Sequence, residues 1–83
     1  MSLTELRGQL DEVDAELIRV LARRADVVKQ IWAWKQQNGV PRVDPTRELE
    51  LRARLLAQAE SLGLSCEATA AILDRIVGVP LHR

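Results

Sequence analysis

Residues 42–50, RVDPTRELE, place an arginine where a helix disfavours one. Asp44 followed by Pro45 is a good helix start, because the carboxylate caps free N–H groups and proline loses nothing at the first helical position. Arg47 comes three residues after that cap, at the end of the backbone dipole that already carries partial positive charge. It is either an inconsequential surface cation or, with Glu48 beside it, placed to hold something. Three more cations raise the same question. Arg24 and Lys35 fall where the rhythm of the first helix asks for apolar residues. They are 11 residues apart, which at about 100° per residue returns them to nearly the same face. Arg7 lies beside the apolar seam but 17 residues before Arg24, on a different face, and could join the same site only from a second copy of the chain. Singly, each has a plain explanation: Arg24 snorkels to water, Lys35 suits a helix C-terminus, and Arg7 is surface. As a set, four cations and one carboxylate suit a small dianion carrying a hydroxyl. The guanidinium groups would grip carboxylates and Glu48 would accept from the hydroxyl.

Little else in the chain offers chemistry. Twelve basic and twelve acidic residues cancel, which argues against a general nucleic-acid or anionic-membrane binder. Ten of the twelve cations are arginine, the residue suited to bidentate carboxylate or phosphate recognition, although composition bias accounts for much of that surplus. The single cysteine, Cys66, and single histidine, His82, make neither a disulfide, an ordinary zinc site nor a nucleophile–base pair with an orienting partner. There is no Gly-rich phosphate loop. No cofactor or metal is expected. With no signal peptide and no apolar run long enough to span a membrane, the expected compartment is the cytoplasm.

The elements that must position these residues are helical throughout. Leu3, Leu6, Leu10, Val13, Leu17, Val20, Val27 and Ile31 step by three or four with one longer gap at Arg23-Arg24, and Leu21 and Val28 widen the stripe. Thr4 is a plausible cap, and Asn38-Gly39-Val40-Pro41 is a clear stop. A helix over about residues 4–37 would be roughly 50 Å long. A second helix runs from the Asp44 cap to about Leu62, with Leu49, Leu51, Leu55, Leu56 and Ala59 as its apolar positions and Gly63 ending it. Ser65 caps a third, whose apolar stripe is Ala71, Ile72, Ile76 and Val77 and which ends at Gly78 and Pro80. Trp32 and Trp34 are expected to pack. The fold class is all-α, a single domain of one very long and two shorter helices. Two short helices cannot cover both ends of the long one, so an intertwined homodimer is expected. The alternative is a monomer bent at Arg23-Arg24, which no Gly or Pro between Gly8 and Gly39 supports.

With these residues in view, the whole chain resembles the all-helical chorismate mutase family. The opening LRGQLDEVDAELIRVLARRADVVKQIWAWK, with its paired Asp11 and Asp14, its RR pair and its terminal Lys35, is similar to that family's first helix. GVPRVDPTRELE is similar to its Pro…Asp…Arg-Glu segment, and AESLGLSCEATAAILDRIV to its third-helix entry. The resemblance implies conversion of chorismate to prephenate, in phenylalanine and tyrosine biosynthesis, by an intramolecular Claisen rearrangement with no cofactor. It implies that Arg24 and Arg47 bind the substrate's carboxylates with Arg7 of the second protomer, that Lys35 donates to the ether oxygen, that Glu48 holds the ring hydroxyl and that Asp44 shapes the site. The family's last-helix Ser falls on Pro80, and its Gln or Glu contact to the ether oxygen would lie beyond Arg83. That departure implies activity that is weak in the chain alone, or that is completed by another protein, such as a second aromatic-pathway enzyme, or by a tail. Two same-fold enzymes, an isochorismate pyruvate-lyase and an aminodeoxychorismate mutase, remain as alternatives, and Glu48, which suits a ring hydroxyl, argues against both. A non-catalytic dimerisation or regulatory module is the third.

Overall fold

The computed structural model describes residues 1–79 and Leu81. Pro80 and His82, which figure in the sequence reading, lie outside the described residues. Among the described residues the chain forms three α-helices and no strand: α1 (Leu3–Gln37), α2 (Pro45–Ser61) and α3 (Cys66–Ile76). No helix among them is long and apolar enough to cross a membrane.

Each boundary has a local cause. The sequence reading puts the first cap at Thr4, but the cap is Ser2. Ser2 Oγ accepts from the Glu5 backbone N–H at 3.1 Å and the Ser2 N–H donates to the Glu5 carboxylate at 3.4 Å. This reciprocal box satisfies two groups at once, which Thr4, with Arg7 rather than a carboxylate three residues on, could not do. α1 stops at Asn38. Gly39 takes φ 65°, and the Val40 N–H closes back on Lys35 O at 2.9 Å. Asp44 caps α2 through the Arg47 N–H at 3.1 Å, and Gly63 ends it with Leu64 N–H on Ala59 O at 2.9 Å. Ser65 caps α3 through the Ala68 N–H at 3.1 Å. Beyond Ile76 the chain makes a type II turn, with Val77 at φ −71°, ψ 121°, Gly78 at φ 71° and the Val79 N–H on Ile76 O.

α2 and α3 pack closely on each other, joined at the rim by an Arg52–Asp74 ion pair of 3.1 Å. With the α1–α2 connection, which reaches Trp32 and Lys35 through Arg42, they cover one face of the second half of α1, where Leu21, Arg24, Ala25, Val28, Trp32 and Lys35 are buried or half-buried. The stripe that dominates the sequence is a different one. Leu3, Leu6, Leu10, Val13, Leu17, Val20, Val27, Ile31 and Trp34 are all exposed in the single chain. Leu21 and Val28 therefore belong to the covered face rather than widening the exposed stripe. Of the two tryptophans only Trp32 is packed. On α2, Leu51, Leu55, Leu56 and Ala59 turn inward as expected, whereas Leu49 is exposed. On α3 the docked residues are Leu73, Ile76 and Val77, so the expected stripe is out of phase at Ala71 and Ile72, which face solvent.

Among the described residues the buried apolar ones are Ala25, Ala59 and Leu73, a small core. The radius of gyration is 16.0 Å, against about 12 Å for a compact domain of this length, and the extents are 55 × 26 × 16 Å. Leu73 is 6% exposed and Ile72 62% exposed. Leu73→Ala should therefore lower the unfolding free energy by about 2–4 kcal/mol in urea titrations, with Ile72→Ala costing clearly less. Equal losses would mean that α3 docks in the other phase.

Candidate functional site

The covered face of α1 brings three of the sequence's candidates together. Arg24 of α1 and Arg47 and Glu48 of α2 line one hollow of about 530 Å³. Arg23 joins them, so three guanidinium groups and one carboxylate border the space. Its remaining walls are apolar side chains, among them Val28, Leu51 and Val77. A hollow of this kind fits an anion with an apolar body: the apolar walls receive the body, and the cations meet the charge.

Local folding fixes each group. Arg24 is half-buried, and its Nη1 donates to Ile76 O at 3.0 Å, at the C-terminal end of α3. A guanidinium there meets a carbonyl at the negative end of the helix dipole, and that carbonyl also accepts the longer 3.4 Å bond from the Val79 N–H. One of its five donors is used and the rest remain for a ligand. Arg47 is held by its backbone, through the Asp44 cap, and its guanidinium stands at the helix N-terminus with no counter-ion among the described residues. Glu48 is half-buried, and its carboxylate lies against the Gly78 turn, where an added Cβ would sit 3.0 Å from Oε1. Arg24 and Glu48 thus rest on the same turn at the end of α3.

Lys35 and Asp44 lie in a neighbouring hollow of about 220 Å³ whose other walls are Val40, Pro41, Val43 and Pro45. Lys35 Nζ donates to Arg42 O at 3.0 Å. It shares its face of α1 with Arg24 but stands about 16 Å further along the axis. Arg7 lines neither hollow and is exposed, about 25 Å from Arg24 along the same helix. Among the described residues no group of three or more His, Cys, Asp or Glu could hold a metal ion, and Cys66 is exposed. The sequence reading missed the parts played by Arg23, by the Ile76 carbonyl and by Gly78. The RR pair pointed to the first. The other two follow only from how α3 docks.

Comparison with known proteins bears on the family. A family model described as chorismate mutase type II matches residues 6–79. A T-protein of Haemophilus influenzae is 33% identical over 76 residues, 92% of this chain and 20% of that protein. A protein named chorismate mutase from Methanocaldococcus jannaschii is 34% identical over 53 residues, 64% of this chain and 54% of that protein. A 4-amino-4-deoxychorismate mutase of Streptomyces venezuelae is 31% identical over 75 residues, 90% of this chain and 73% of that protein. The chain thus spans about a fifth of the T-protein's length. No solved structure gives a significant match.

Arg47 works against its own helix when no anion is present. Arg47→Ala should therefore raise the unfolding free energy of the ligand-free protein by about 0.3–1 kcal/mol at low salt, and the gain should shrink in urea titrations at high salt. A loss of stability would mean that Arg47 serves the fold rather than a ligand.

Proposed function

The chain belongs to the type II chorismate mutase family, and we propose that it converts chorismate to prephenate as a dimer of identical chains. The observation that carries this reading is the meeting of Arg24, Arg47 and Glu48 in one apolar-walled hollow. The reaction breaks an ether C–O bond and forms a C–C bond within the same molecule. No proton or electron is passed to the protein. What the protein must supply is one reactive conformer of a flexible dianion, and positive charge where the ether oxygen becomes negative.

The residues present are suited to both tasks. Arg24 and Arg47 would bind the two carboxylates, aided by the positive end of the α2 dipole. Glu48 would accept from the ring hydroxyl, and the turn at Gly78 keeps its carboxylate in place. Lys35 would donate to the ether oxygen, and Asp44 would shape the space between Lys35 and Arg47. Arg7 is too far along α1 to reach its own hollow, so its part in the site requires a second copy. The exposed stripe supports such a partner: Val20, Val27 and Ile31 belong to it and also wall the hollow, so a second α1 laid along the stripe would close the site. A complex with another enzyme of the aromatic pathway is a further proposal, and would show as a rise in rate on adding cell extract.

The test follows chorismate in ultraviolet absorbance and identifies the product. Lys35→Ala should lose at least about 100-fold in kcat. Mixing Arg7→Ala with Arg24→Ala protein should restore about a quarter of the wild-type activity, because half of the random pairs carry one intact site in two. No recovery would remove the shared site, and no turnover by the wild type, alone or with extract, would favour a non-catalytic module. The same assay with 4-amino-4-deoxychorismate decides the second reading, which the Streptomyces relative favours. Gly78→Ala and Gly63→Ala both force a side chain to positive φ, but only the first places a Cβ against Glu48. Gly78→Ala should lower kcat/KM about tenfold while Gly63→Ala stays near wild type.

A further inference from the structure

Lys35 is the cation with the most demanding task and the most flexible side chain, a four-carbon stem ending in a point charge. Its position depends on the connection between α1 and α2. Val40 N–H is fastened to Lys35 O, Pro41 follows with its fixed φ, and Arg42 then folds back over α1. The Arg42 guanidinium lies over the Trp32 ring, 4.2 Å from its centroid, and the Arg42 carbonyl accepts from Lys35 Nζ at 3.0 Å. Trp32 and Lys35 are three residues apart, neighbours on one face of α1. The side chain of Arg42 thus grips one neighbour while its carbonyl holds the other.

We propose that Arg42 is a positioning residue for Lys35, its cation–π contact with Trp32 fixing the carbonyl that aims the ammonium. The acceptor is neutral. A carbonyl directs the charge without cancelling it, and it takes one of three ammonium donors, leaving two for a ligand. The carboxylate that shares the hollow, Asp44, is engaged through Oδ1 with the Arg47 N–H. Arg42 itself is exposed and lines neither hollow, so it touches no bound substrate in this arrangement.

The kinetic half of this proposal rests on the chorismate mutase reading, and the spectroscopic half does not. The chain has two lysines, Lys29 and Lys35. Carbon-13 lysine labelling therefore gives two ε-methylene signals, which Lys29→Arg assigns. In the wild type Lys35 should show a shifted, less mobile signal than exposed Lys29. Arg42→Ala and Trp32→Leu should each bring it to the Lys29 position, and Arg42→Lys, which keeps a cation over the ring and adds a third signal of its own, should largely preserve it. In the assay, Arg42→Ala should lower kcat about tenfold with KM changed less than about twofold, and add nothing to Lys35→Ala. A Lys35 signal unmoved by Arg42→Ala, a loss confined to KM, or additive losses in the double variant would each overturn the proposal. Should the wild type turn over no chorismate, the substrate reading falls and the Lys35 signal alone decides whether the clamp exists.

Discussion

One unbroken helix sets the terms for the rest of the molecule. α1 has 35 residues and carries two apolar faces. α2 and α3, with 17 and 11 residues, can cover only one of them, and only over the second half of α1. The consequences run in two directions. The covered face holds Arg24 and Lys35 and becomes the wall of the two hollows. The uncovered face leaves a line of leucine, valine and isoleucine in water, and with Ala25, Ala59 and Leu73 as the buried residues a single chain has little else to hold it together. The hollow and the uncovered stripe meet at Val20, Val27 and Ile31, so closing one face is a step toward closing the other.

Helix ends do the remaining placement. The start of α2 presents Arg47 and Glu48, and the end of α3 presents Ile76 O and the Gly78 turn. These two ends meet over the middle of α1 because the Gly63 stop reverses the chain and lets α3 run back along α2. Arg47 at a positive helix end is poor for the fold and good for an anion. Arg24 at a negative helix end suits both. The pair shows how one backbone dipole can be used once against stability and once in its favour.

The ends of these helices were legible because each has a chemical signature: Asp44-Pro45, Ser65, Gly39, Gly63 and Gly78 all act where the sequence puts them. Ser2 was legible too, since Ser-Leu-Thr-Glu is a capping box, and the reading at Thr4 missed the reciprocal bond from Glu5. Faces were harder. Period alone shows that α1 has apolar stripes, but not which of them α2 and α3 will cover, so Leu21 and Val28 were assigned to the wrong one. In an 11-residue helix the phase rests on very few side chains. Ile72 and Leu73 differ by one step of about 100°, and hydrophobicity does not choose between them. The docking of α2, with Arg52 reaching Asp74, makes that choice. Arg47 and Glu48 stay together whatever the phase because they are neighbours at one helix start, whereas their meeting with Arg24 depends on how α2 lies on α1. The roles of Ile76 O and Gly78 did not show in advance because a backbone carbonyl has no sequence signature.

Both of the cations that the chain ties down by their side chains within the two hollows, Arg24 and Lys35, are tied to backbone carbonyls. The sequence has twelve carboxylates that could have served, yet Asp74 is spent on Arg52 at the rim. The difference matters for an anion site. A carboxylate partner would orient the cation and neutralise it, so a ligand would have to displace it or share it. A carbonyl orients through its dipole and leaves the full charge facing the hollow. In a chain of zero formal charge, positive potential can gather only if the balancing acids are kept away from it, and Glu48 is the single exception at the larger hollow. That exception fits a ligand with two negative groups and one hydrogen-bond donor, and it is the same inventory from which the sequence argument began.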